Sequence, residues 1–169
     1  MLRMLRLALM AASFLVSVFA VSAQFSGFRY ESVTPGTKLP GGIIYLGGAL
    51  LTYPEKDPVY GVSQVRRGKT MSFWLEISVK RDENGISMWR VLDSVSFPVP
   101  AQGRFAVLPS DPAVECRLKG KSAENLVAVG RADQSKGRFL PERAWLADSA
   151  KGRFESLRPA DLRCIFSEP

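Results

Sequence analysis

Few residues in this 169-residue chain are equipped for chemistry, and their types narrow the choice at once. There is no histidine, which removes the commonest general base and metal ligand. The only cysteines, Cys116 and Cys164, form no C-x-x-C pair and carry no thiol-redox signature. Two cysteines without histidine do not make a zinc site. No G-x-S-x-G elbow is present, so a hydrolase of that kind lacks its nucleophile. Gly68-Lys69-Thr70 lacks the glycine five residues upstream that a phosphate-cradling loop needs. Acidic neighbours such as Asp82-Glu83 fall in turn sequence, where a solvated surface explains them. The expectation is a non-catalytic protein with no catalytic residue, no cofactor and no metal.

What remains is basic, aromatic and repeated. Arg66-Arg67-Gly68-Lys69 reads as a basic turn, and Trp74 lies on the polar side of an alternating strand. Trp74, Arg66, Arg67 and Lys69 are therefore the candidate binding surface. Trp74 has a second reading, coverage by a loop or another sheet, which is the commoner fate of a tryptophan. Aromatic and basic residues interleave at Phe28-Arg29-Tyr30, a mixture that can bind single strands of nucleic acid. In a β protein the same mixture follows from alternation, and no nucleic-acid partner is expected.

The octapeptides ADQSKGRF (132–139) and ADSAKGRF (147–154) share six letters, and a third GRF stands at 103–105. Each octapeptide reads as a turn. Asp starts it, Gly137 or Gly152 takes the left-handed conformation, and Arg-Phe enters the next strand. The pair then makes a meander: 126–131, turn, 138–147, turn, 153–157. The turns would stand about 30 Å apart at roughly 3.3 Å per residue, too far for Lys136 and Lys151 to grip one small anion.

The start of the chain sets the compartment. Arg3 and Arg6 precede an uncharged apolar run from Leu7 to Val21, and Val21-Ser22-Ala23 fits the signal-peptidase pattern. That run is short for a membrane span. Residues 1–23 read as a signal peptide cut after Ala23, giving a periplasmic or secreted protein with no stable membrane span. The remaining 21 basic and 16 acidic residues leave a mild charge of +5. Such a charge is compatible with an anionic envelope polymer but does not demand one. In an oxidising compartment Cys116 and Cys164 pair, and closing a loop of that length is worth about 4 kcal/mol in the chain-entropy model.

The elements that must position these residues read as strands. Residues 24–169 suit one domain, and 14 glycines with 11 prolines punctuate short elements rather than long helices. Strands are expected at 28–33, 43–53 with a bulge at Gly47-Gly48, 59–65, 114–118, 126–131 and 162–166. The clearest is a hairpin, 71–80 with 86–97. A three-residue loop ending at Gly85 sets Phe73 opposite Val95, Ile77 opposite Val91 and Val79 opposite Trp89. It gathers Phe73, Leu75, Ile77, Val79, Trp89, Val91 and Val95 on one face, leaving Trp74, Glu76, Ser78 and Lys80 on the other. GRFAVLPSDPAVEC (103–116) and GRFESLRPADLRC (152–164) further suggest two similar strand-loop-strand arms, each ending at a cysteine. A competing helix over 141–152 lacks a clean apolar stripe.

Ala144-Trp145, Asp148, Gly152, Phe154, Leu157 and Cys164 form an A-W-x-x-D-x(3)-G-x-F-x-x-L-x(6)-C ending. Over its last third the chain thus resembles small, uncharacterised exported proteins of Gram-negative bacteria. The resemblance implies a periplasmic location and carries over no functional residue.

The fold class expected is all-β, an antiparallel meander-rich sandwich or barrel with one disulfide. The expected function is that of a non-catalytic exported envelope protein that binds or supports another envelope component. An inhibitor or chaperone-like module for a secreted enzyme, and a binder of an anionic envelope polymer, are the alternatives.

Overall fold

The computed structural model describes residues 25–51, 58–81, 83 and 86–167. The expected signal peptide, the residues 52–57 and the turn residues Asn84 and Gly85 lie outside them. The described chain is all-β and antiparallel.

The first sheet has six strands: β1 (Arg29–Glu31), β2 (Lys38–Leu39), β3 (Ile43–Leu50), β4 (Tyr60–Arg67), β5 (Thr70–Arg81) and β6 (Ser87–Pro98), in spatial order β1-β6-β5-β4-β3-β2. The second contains β7 (Arg104–Val107), β8 (Val114–Leu118), β9 (Lys121–Ser122), β10 (Leu126–Asp133), β11 (Arg138–Asp148), β12 (Arg153–Leu157) and β13 (Leu162–Phe166). Its order is β7-β10-β11-β13-β8-β9, with β12 alongside β11. The strands expected at 114–118 and 162–166 have those limits, and the competing helix at 141–152 is strand β11 and its following turn.

The first sheet is strongly curled. Tyr30 on β1 is three strand spacings from Ser63 on β4, roughly 14 Å in a flat sheet, yet their side-chain oxygens are 3.2 Å apart. The concave side encloses Tyr30, Leu39, Ile43, Val65, Trp74 and Val91. The other side carries Val62, Met71, Phe73, Leu75 and Phe97, which pack with Val127, Val129 and Ala147 of the second sheet. A third core, inside the second sheet, holds Val107, Cys116, Phe139, Leu162 and Cys164. Both faces of the first sheet are therefore buried, which a simple in-out alternation does not anticipate.

This corrects the expected hairpin face. Phe73 does pair with Val95, but beyond it Ile77 meets Arg90 and Ser78 meets Trp89. Register shifts between Leu75/Glu76 and Ser78/Lys80 cause the change. They send Val91 and Trp89 to the concave core with Trp74 and leave Val79 exposed. The first shift also aims Leu92 at the second sheet, where its Cδ1 lies 3.6 Å from the position a Cβ on Gly152 would take. Next to it, Asp93 accepts hydrogen bonds from the backbone N–H groups of Ser94 and Phe154. The bulge thus fastens the two sheets.

The repeated octapeptides are turns. Gly137 and Gly152 both have positive φ, 58° and 64°, where any side chain would strain the backbone. In the first turn Asp133 accepts a hydrogen bond from the Ser135 hydroxyl; in the second Asp148 accepts one from the Lys151 backbone N–H. Gly103 also has positive φ, so all three GRF units start a strand: β7, β11 and β12. The two turns lie at opposite ends of β11, roughly 33 Å apart at about 3.3 Å per residue. The weaker echo is structural too, since β7-loop-β8 and β12-loop-β13 are the two arms. Cys116 and Cys164 are directly opposite on β8 and β13, bonded, with Cα atoms 4.0 Å apart.

Candidate functional site

Trp74 is fully buried and forms no part of the surface. Its neighbours across the strands are Ser63 and Ser94, small enough to leave room for an indole. The rings of Phe25 and Phe28 cover it at centroid distances of 5.1 and 5.4 Å. Its indole N–H is buried without a partner among the described residues.

Two places later on the same face stands Glu76, only 4% exposed. Burying a carboxylate costs several kcal/mol unless hydrogen bonds replace water. Here Ser63 donates to one oxygen and Tyr30 to the other, both at 2.6 Å. Tyr45 in turn hydrogen-bonds Ser63. Four strands therefore converge: Tyr30 from β1, Tyr45 from β3, Ser63 from β4 and Glu76 from β5. The curl of the sheet makes this possible.

Burial pushes the Glu76 carboxyl up to about 7 against the opposing pull of the Ser63 and Tyr30 hydrogen bonds. Burial, then the adjacent Glu76, holds the Tyr30 hydroxyl far above its ordinary range, and burial raises that of Tyr45. Neutral pH is thus where Glu76 changes charge while both phenols stay neutral.

Above this group lies a chamber of about 170 Å³, lined by Tyr30, Tyr45, Gly61, Ser63, Glu76 and Trp89 among others. Two glycines open it. A Cβ on Gly48 would come within 2.9 Å of both the Ser63 and Tyr45 hydroxyl oxygens. A Cβ on Gly61 would lie 3.5 Å from both Glu76 Oε1 and the Trp89 ring.

The basic candidates lie elsewhere on this sheet. Arg66 and Arg67 close β4, and Lys69 follows in the turn; all three are exposed. The register adds Lys38: it pairs with Ile44, which pairs with Arg66, so Lys38 and Arg66 share a face two strands apart. None of the four has an ion pair among the described residues. The ion pairs present are on the second sheet, such as Arg104–Glu142 and Lys151 with Asp148 and Glu155.

Sequence reasoning missed Glu76 and its hydroxyl partners. Alternation assigned Glu76 to Trp74's side, which is correct, but that side is enclosed by strands distant in sequence. One signal was present: Glu76 is the one carboxylate in the stretch 71–80, set between Leu75 and Ile77 on the side that also carries Trp74. No protein-family model, curated protein or solved structure matches this chain.

Proposed function

We propose that this is a non-catalytic, exported envelope protein that binds another envelope component, and that the cationic corner of the first sheet is the face it uses. The observation that supports this reading is that exposed Lys38, Arg66, Arg67 and Lys69 lie at one end of the first sheet, Lys38 and Arg66 on one face and Arg67 on the other, without an ion pair among the described residues. Like charges gathered at one end of a sheet repel, and a polyanion relieves that repulsion while its own condensed counterions are released. The partner chemistry that fits is a polymer carrying phosphate or carboxylate groups, such as lipopolysaccharide or an anionic cell-wall polymer.

The test is binding of lipopolysaccharide to the wild type and to the triple variant R66E/R67E/K69E at low and high salt. The reading expects salt-sensitive binding that the triple variant loses, with its thermal midpoint little changed. Binding of equal strength by both proteins would refute it.

A further inference from the structure

We propose that the chamber over Glu76 is a binding site for a primary ammonium group on a short alkyl stem. This site is separate from the cationic corner, and its argument does not depend on that reading.

The chamber has one charged lining group, a carboxylate, and it is built in rather than displayed. Each carboxylate oxygen already accepts one hydroxyl hydrogen bond and keeps a lone pair for another donor. An ammonium group has three N–H donors and a charge that compensates the buried anion. The aromatic walls, Tyr45 and Trp89, suit a cation and its methylene stem. In its ionised form Glu76 itself repels anions. The volume is close to that of an apolar cavity of about 150 Å³ that admits one benzene, so the occupant has about half a dozen heavy atoms. A free small amine and the end of a lysine side chain share this chemistry.

The titratable groups facing Glu76 are Tyr30 from β1 and Tyr45 from β3; β4 and β6 present Ser63 and Trp89, which carry no charge. Only Glu76 therefore changes charge near neutrality, as burial raises its carboxyl to about 7. Bound ammonium favours the ionised form, so binding below pH 7 must release a proton. At pH 5.5 about 3% of such a group is ionised, against about 90% at pH 8. Affinity for the ammonium should fall by about 30-fold between them, as for any site whose competent form is fractionally populated.

Calorimetric titration of the intact disulfide-bonded protein decides it, with n-butylammonium as the free amine and Nα-acetyl-lysine N-methylamide as the side-chain source. The expected result is saturable binding of at least one at pH 8, weakened about 30-fold at pH 5.5 and abolished in Glu76→Gln. Tighter binding of the lysine derivative assigns the source to a partner's side chain, and tighter binding of n-butylammonium to a free amine. Gly61→Ala, whose added methyl meets the Ala49 carbonyl oxygen at 3.3 Å and Glu76 and Trp89 at 3.5 Å, should lose binding while keeping the fold. Absence of saturable binding by both probes at pH 8, or binding by Glu76→Gln equal to wild type, overturns the proposal. Should Gly61→Ala not fold, the Glu76→Gln comparison alone carries the decision.

Discussion

The two sheets treat their polar groups in opposite ways. The second sheet carries the disulfide and the ion pairs, and its repeated turns bind their own side chains: Lys151 pairs with Asp148 and Glu155 beside it. The first sheet buries a carboxylate among hydroxyls and leaves Lys38, Arg66, Arg67 and Lys69 without ion pairs among the described residues. One sheet satisfies itself locally; the other holds groups in costly or unsatisfied states. Stability devices and functional candidates are thus separated in space, though both sheets share a common core.

Breaking the second sheet should produce the largest effect on stability. Replacing Cys116 and Cys164 by alanine should cost about 4 kcal/mol by the chain-entropy argument, read as a lower denaturant midpoint at unchanged pH dependence. A loss below about 1 kcal/mol would mean that the strand pairing of β8 and β13 alone fixes that arm.

The next effect belongs to the first sheet and depends on pH. Glu76 is raised from about 4.5 to about 7 on folding, so the folded protein holds its proton more tightly than the unfolded chain. Stability is then fully present below about pH 4.5 and is lost as pH rises through about 7. The loss is on the order of 3 kcal/mol at about 1.36 kcal/mol per pH unit. Denaturant melts across this window should show the decline in wild type, and Glu76→Gln should abolish it.

Smaller effects separate architecture from charge within the repeated turns. Gly137→Ala and Gly152→Ala should each destabilise by about 1 kcal/mol, because both positions require positive φ. Neither methyl meets a clash, since the nearest atom to either is Leu92 Cδ1, at 3.6 Å from Gly152's. Lys136→Ala and Lys151→Ala should be nearly silent, as exposed ion pairs contribute little. Thermal melts of the four variants rank them, and a lysine loss exceeding the glycine loss would reverse the architectural reading.

These contrasts follow how information is stored along the chain. The repeated turns, the disulfide and the strands at 114–118 and 162–166 were legible because each rests on local signals: glycine position, cysteine count, alternation. The hairpin was legible as far as Leu75 opposite Asp93, because the shifts at Leu75/Glu76 and Ser78/Lys80 insert single residues that a period of two cannot register. The Glu76 site was illegible for a different reason. Its partners sit 46 and 13 residues away, and only the curl of the sheet brings them together. Of the surface expected from the sequence, Arg66, Arg67 and Lys69 are exposed, with Lys69 in the turn but Arg66 and Arg67 still in β4, whereas Trp74 is enclosed by the segment that precedes β1.

The most direct test of this division of labour is a carbon-13 NMR titration of the glutamate side-chain carboxyls, with Glu76→Gln to assign the resonance. One carboxyl should titrate with a midpoint near 7, and adding n-butylammonium should move that midpoint down. A Glu76 midpoint near 4.5 with no response to the amine would contradict the account, showing a carboxylate that water reaches freely and a first sheet with no built site.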